Sequence, residues 1–368
     1  MKTKAAVLWD RDQKWEIEEV ELDGAKQAEV MVRLTASGLC HSDNHILTGD
    51  MPLVLPAIGG HEGAGVVVEV GPGVSEVAEG DPVVFSFVPS CGRCIPCVKG
   101  MANLCVQGAA LIAGPQLDGT HRFHARGRDL GQMCMLGTFS EYTVVPTSSV
   151  VKIDPALPLD KAALVGCGVT TGYGSAVRTG ETRDGDTVVV MGVGGVGINA
   201  VQGARIVGAR HVVALDPVEY KRMRSHEFGA THTASTVGEA FTLIAQLTSG
   251  EMADVCVVAT DCAEGGYVAQ ALSLVGKRGR VVMTATPHLT ENTVAMSLVD
   301  LILFEKQVRG SLFGSSNPHY DITRILGLYA SGQLKLDELV TREYALEEIN
   351  QGYADMHAGA NLRGLIRF

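Results

Sequence analysis

Residues 188–197 read VVVMGVGGVG. An apolar run of strand character enters three glycines spaced G-x-G-x-x-G, and Val196, Ala200, Ala204 and Val207 follow at helical spacing. A strand, a tight turn and a helix joined in this order leave few folds open. Gly192 permits the turn, Gly194 carries no Cβ where a phosphate must approach the backbone, and Gly197 lets helix and strand pack closely. With Gly195 and Val196 they place free N–H groups at the helix start, facing negative charge. In a chain with 44 glycines the pattern alone also describes an ordinary tight turn.

The residues beyond the turn favour the nucleotide reading. Apolar runs at 187–191, 211–215, 255–259 and 280–284 alternate with helical stretches, the pattern of a parallel α/β sheet. The run at 211–215 ends at Asp216, about 20 residues past the loop, where a carboxylate accepts hydrogen bonds from ribose hydroxyls and repels a 2′-phosphate. NAD(H) is therefore expected over NADP(H). Asp216 also reads as a solvated turn before Pro217, and Lys221 and Arg222 lie close by.

The first 165 or so residues differ. Short β-like runs at 29–34, 65–70, 82–88 and 141–145 alternate with turn clusters rich in Gly, Pro, Asp and Ser. The last fifty or so residues return to short pieces, a helix at 322–330 and a strand at 364–368, that complete this first domain. The expected division is 1–167 with 312–368, and 168–311.

Composition excludes several partners. Lys plus Arg is 30 and Asp plus Glu is 41, a net charge of −11 without a basic run, so a nucleic acid is not expected. The longest uncharged stretch, 187–204, holds five glycines and an Asn and begins as a strand, so a membrane span is not expected. The first twenty residues lack the apolar core of a secretory signal, which points to the cytoplasm. In that reducing compartment nine cysteines are more apt to hold metal than to form disulfides.

The segment CGRCIPCVKGMANLC supplies Cys91, Cys94, Cys97 and Cys105 within one loop. Four thiolates surround a tetrahedral ion and leave no open position, the arrangement of a structural zinc pinning a lobe at about 90–106. An iron–sulfur cluster fits the spacing poorly, and disulfides suit the compartment poorly. Cys40 in GLCHSDNH, His61 with Glu62 in GGHEGAG, and Cys167 in VGCGVTTGYG form a second, dispersed set. Two thiolates and one imidazole leave a fourth zinc position for water or a substrate oxygen. Spacing alone does not group them, because an isolated buried Cys or a hydrogen-bonded core His is the commoner use of such residues.

These residues carry a resemblance. GHEGAGVVVEVG, the four-cysteine lobe, GCGVTTGYGSA, the Gly192 loop with Asp216, and Arg363 near the C-terminus resemble the zinc-dependent alcohol dehydrogenases of the medium-chain dehydrogenase/reductase superfamily. DGTHRFHARGRDLGQMCMLGTFSEYTVV and GSLFGSSNP are most similar to its NDMA-dependent, or nicotinoprotein, branch. The resemblance implies a GroES-like, largely β catalytic domain and a doubly wound Rossmann coenzyme domain, with the nicotinamide near the zinc in the cleft between them. It also implies two zinc ions per chain and NAD(H).

By the same resemblance, Cys40, His61 and Cys167 hold the catalytic zinc, Glu62 is a carboxylate that exchanges onto it, and Asp43 orients the imidazole. Ser42 and His45 form a proton relay, His41 and Arg363 reach the cofactor pyrophosphate, and Lys221 approaches the adenosine ribose. Met51, Phe87 and Leu136 fall near the substrate channel, suiting a small apolar alcohol or aldehyde, and each reads equally as plain core. The branch implies a cofactor retained between turnovers, its NADH reoxidised in place by an electron acceptor, and relatives suggest a homodimer or homotetramer. Competing readings are a glutathione- or mycothiol-linked formaldehyde dehydrogenase, an inactive zinc- and dinucleotide-binding structural or redox-sensing protein, and a zinc-free quinone reductase. The set Cys40, Ser42, His45, His61 and Cys167 argues against the last two.

Overall fold

The computed structural model describes residues 1–288, 290–291 and 293–368. The chain forms two compact units, Met1–Cys167 with Asn317–Gly332 and Leu336–Phe368, and Gly168–Ser316 with Gln333–Lys335. The sequence suggested a return to the first unit at 312, and the structure makes it at Asn317. There the Asn317 side chain caps the helix Pro318–Ala330 and Pro318 occupies its first turn. Residues 333–335 belong to the second unit because the Gln202 carboxamide bonds both Lys335 N and Lys335 O, at 2.8 and 3.1 Å.

The first unit combines a closed barrel (Lys2–Leu8, Glu16–Leu22, Phe123–Ala125, Arg128–Gln132 and Ala57–Ile58) with a larger sheet centred on the strand Glu29–Gly38. That strand is buried at most positions because it pairs with three others, Gly63–Val70, Tyr142–Pro146 and Arg363–Arg367. Its register decides which segments meet. Ser37 faces Gly63 on one side, while Gly38 faces Leu365 on the other. The segments just beyond these positions, Cys40, His61–Glu62 and Arg363, therefore come together at one end of the sheet. The run expected at 82–88 is a strand only over Pro82–Phe85, because Ser86 N turns to Ser149 O and Phe87 N to Gly166 O.

In the second unit the described residues form a six-stranded parallel sheet. Its order is His232–Ala234, His211–Leu215, Thr187–Met191, Ala253–Val258, Val275–Met283 and Gln307–Gly310. In chain order this is 3-2-1-4-5-6, the doubly wound Rossmann arrangement, whose switch point lies beside Thr187–Met191. Val188, Val189 and Val190 are fully buried, as a strand covered on both faces requires. The strand expected at 280–284 begins earlier, at Val275. No described helix is long and apolar enough to cross a membrane.

Candidate active site

Three chain segments build the central cluster. Cys40 is the extended residue between the strand Glu29–Gly38 and the helix His41–Leu47, His61 and Glu62 immediately precede the strand Gly63–Val70, and Cys167 follows the turn Ala163–Gly166. One ligand atom from each of Cys40, His61, Glu62 and Cys167 lies within 4.8 Å of the others, and all four residues are buried. Gly38 is required here, since a Cβ would strike the Glu62 carboxylate.

The electrostatics are those of donors crowded together. The Cys167 contact holds the Cys40 thiol well below its ordinary value, with His61 adding to the effect and burial opposing it. The same contact, with burial, pushes Cys167 well above. Burial alone would lower His61, but Asp43 and Cys40 outweigh it and raise the imidazole. Asp43, fully buried, accepts from Gly60 N at 2.9 Å and from His61 Nδ1 at 3.2 Å. That fixes the His61 tautomer and leaves Nε2 buried without a hydrogen-bond partner. Two soft sulfurs, one imidazole nitrogen and a carboxylate, with an orphaned Nε2 among them, fit zinc chemically.

Around this cluster, Ser42 Oγ lies 3.7 Å from Cys40 Sγ. His45 Nδ1 pairs with Asp50 Oδ2 at 3.1 Å, and its Nε2 is buried without a partner. Thr48 Oγ1 donates to the same Asp50 oxygen at 2.6 Å. The His41 ring sits edge-on to His357, and the Phe87 ring edge-on to His61 at 5.8 Å. Arg363 is buried against Glu62, where it forms an ion pair. Met51, Phe87 and Leu136 belong with one apolar core cluster of this unit. Sequence reading passed over Asp50. Its signal was local, a carboxylate one turn past the helix that carries His45.

The cysteine lobe is a second cluster. Cys91, Cys94, Cys97 and Cys105 place their sulfurs within 4.8 Å of one another, with only Cys105 buried. Backbone N–H groups of Val106 and Cys97 bring the Cys94 thiol down to about 6, whereas burial pushes Cys105 up to about 12. Amides aimed at sulfur suit thiolates held around a cation.

In the second unit, Gly192 has φ +82° and a Cβ there would lie 2.7 Å from Ala259 O, so the turn demands glycine. A Cβ at Gly197 would run into the Gly192 carbonyl. At Gly194 a Cβ would meet only Lys221 Nζ, at 3.9 Å, so the backbone is open to a ligand. Gly195 and Val196 lead into the helix Gly197–Ile206. Asp216 is buried and braces the loop, Oδ2 accepting from Val193 N at 2.9 Å and Oδ1 from Val218 N at 2.8 Å. Arg222 caps the Asp216 and Pro217 carbonyls at 2.7 and 2.8 Å.

Comparison with known proteins identifies relatives over the whole chain. Residues 26–155 match the alcohol dehydrogenase GroES-like domain and residues 195–331 the zinc-binding dehydrogenase family. The chain is 52% identical over 366 residues to an NDMA-dependent alcohol dehydrogenase of Amycolatopsis methanolica, covering 100% of this chain and 99% of that one. It is 49% identical over 370 residues to alcohol dehydrogenase B of Mycobacterium tuberculosis, with the same coverage. Among solved structures, an alcohol dehydrogenase zinc-binding domain protein from Burkholderia ambifaria superposes with TM-score 0.94 at 32% identity, covering 100% of this chain and 99% of that one. Benzyl alcohol dehydrogenase from Acinetobacter calcoaceticus superposes with TM-score 0.93 at 28% identity and the same coverage.

Proposed function

This chain belongs to the zinc-binding alcohol dehydrogenases and is an enzyme of that family, and from that premise we propose that it oxidises a small alcohol to the aldehyde or ketone, reversibly, by hydride transfer to a nicotinamide that stays bound between turnovers. The observation that carries the reading is the convergence of Cys40, His61, Glu62 and Cys167 from three segments into one buried set of donors. Cys40, His61 and Cys167 would hold the catalytic zinc with Glu62 beside it, and the cysteine lobe a second, structural ion. Zinc supplies Lewis acidity there, and a shift like that of its bound water, ~9 pKa units, corresponds to about 12 kcal/mol in favour of the ionised substrate oxygen.

The chain's own residues handle the proton. Ser42 Oγ, next to Cys40, would take it from the substrate hydroxyl and pass on its own, and His45 Nε2, buried without a hydrogen-bond partner, would receive the proton at the end of the relay. The Asp50 carboxylate on His45 Nδ1 holds the ring in place. Phe87 and its apolar neighbours keep water from the substrate. In the second unit the Gly192–Gly197 turn would take the pyrophosphate, and Asp216, each of its oxygens keeping a second lone pair, the ribose. Lys221 would lie near the adenosine ribose, with His41 and Arg363 toward the pyrophosphate.

Retention of the cofactor follows the Amycolatopsis methanolica relative, whose name specifies NDMA dependence. A second copy of the chain is the proposed partner. In the helix Leu298–Ile302 and just past it, Leu298, Ile302 and Leu303 are 69%, 67% and 70% exposed, ahead of the edge strand Gln307–Gly310. Native mass spectrometry tests the reading, with two zinc ions and one dinucleotide expected per chain, together with alcohol-dependent reduction of NDMA without added NAD. Turnover only when NAD is added would return the enzyme to ordinary coenzyme exchange.

A further inference from the structure

One side of the Asp43 carboxylate is committed, Oδ1 accepting from Gly60 N and His61 Nδ1. Its other oxygen, Oδ2, is equally buried, and a carboxylate oxygen shut away from water without a donor carries a large desolvation cost. A second orphan accompanies it. The hydroxyl of Tyr353, on the helix Ile349–His357, is also buried, and neither atom has a hydrogen-bond partner among the described residues.

The helix is fixed in the neighbourhood of Asp43, since Trp15 and Phe139, on which the Tyr353 ring packs, lie against Gly59 and Gly60, and Gly60 N bonds Asp43 Oδ1. Asn350 bonds both main-chain groups of Trp15, Oδ1 accepting from Trp15 N at 3.1 Å and Nδ2 donating to Trp15 O at 2.9 Å. The Tyr353 ring stacks on Trp15 with centroids 6.5 Å apart and meets Phe139 edge-on at 6.4 Å. These contacts lock the ring, and with it the direction of the hydroxyl. Burial first, then the negative charge of Asp43 and of the Cys40 sulfur, push the phenol well above its ordinary value. It therefore keeps its proton at neutral pH and is a donor. Phenylalanine would satisfy the aromatic packing as well as tyrosine does, so the hydroxyl has a use apart from packing.

We infer that Tyr353 is a positioning residue whose hydroxyl donates to Asp43 Oδ2, holding that carboxylate against His61 Nδ1 so that His61 Nε2 stays aimed at the metal. The inference rests on the proposed reading of Cys40, His61 and Cys167 as zinc ligands. Residues behind a metal's ligands typically change its affinity by about 10–100-fold. One link further back, roughly 5- to 20-fold is expected.

The test is zinc release from the purified full-length protein to a chromogenic chelator, comparing wild type, Tyr353→Phe, Asp43→Asn and the double variant. Two phases are expected in wild type, and the one missing in Cys167→Ser identifies the buried site. Tyr353→Phe should speed that phase about 5- to 20-fold, leave the cysteine-lobe phase unchanged and keep the melting temperature within about 2 °C. In the Asp43→Asn background it should add nothing. Equal release from wild type and Tyr353→Phe, or an undiminished effect in the Asp43→Asn background, overturns the inference while leaving the metal reading intact. A wild type that releases only lobe zinc overturns both.

Discussion

The first unit gathers metal-ligating side chains twice, and by opposite means. In the lobe, Cys91, Cys94, Cys97 and Cys105 come from one short segment in which Ile95, Val98, Met101 and Leu104 are all exposed. Little apolar core holds that segment, so on the proposed reading an ion bound there would be what folds it. In the buried cluster, Cys40, His61 and Cys167 come from segments far apart, each placed by a strand or turn of the central sheet, and Asp43 orients the imidazole in advance. There the scaffold would be expected to stand without the ion. On the proposed reading an ion there would serve the chemistry.

Breaking the buried cluster should therefore cost activity and spare the fold. Cys167→Ser is expected to reduce alcohol turnover by about 10³-fold or more, since several kcal/mol of charge stabilisation are lost with the Lewis acid. The melting temperature should move by only a few degrees, and the zinc count should fall from two to one. If Cys167→Ser unfolds the domain, the cluster is structural after all and the contrast collapses.

The converse variant is Cys94→Ser. Losing a thiol that backbone amides have already brought to about 6 should release the lobe ion and melt the segment locally. Limited proteolysis should then cut within residues 91–105 about 10- to 100-fold faster, while the freshly prepared enzyme keeps activity within about tenfold of wild type. A resistant lobe in the metal-free variant would show that it has a core of its own.

The same contrast sets how far the sequence could be read. The lobe was visible as a cluster because its four donors sit on one loop, where spacing and geometry are nearly the same thing. The buried cluster was not, since nothing in the separation of Cys40, His61 and Cys167 says that Ser37 faces Gly63 across two strands; only resemblance grouped them. The doubly wound sheet was legible from its apolar runs, with 187–191 and 211–215 matching the strands residue for residue. The strand at 82–88 was overextended because a side-chain and main-chain detour at Ser86 leaves no mark in hydropathy. Asp50 and Tyr353 went unread for a similar reason. A carboxylate past a helix end and an aromatic in a core helix become specific only when their partners are in place.

A third group of buried charges isolates what the metals contribute, because it supplies its own cation. Arg122 is fully buried, donates from Nε and Nη2 to both oxygens of Glu29 at 2.8 and 2.6 Å, and reaches Asp118 Oδ2 at 2.9 Å. At Asp118 burial opposes ionisation, but the Thr120 N–H, the Thr120 hydroxyl and Arg122 outweigh it and hold the carboxyl well below the usual range. A pKa depressed in the folded state contributes stability above the unfolded value, about 4, and that stability is lost as pH falls below it. Since the Asp118 side chain is 41% exposed, the effect is modest. Acid unfolding of Asp118→Asn between about pH 4 and 2 should be shallower than wild type by at most about one proton, while zinc release on acidification stays the same in both proteins. Coincident changes in the two measurements would mean that the ion pairs and the metal sites unfold as one unit, and the division between folding metal and chemical metal would have to be redrawn.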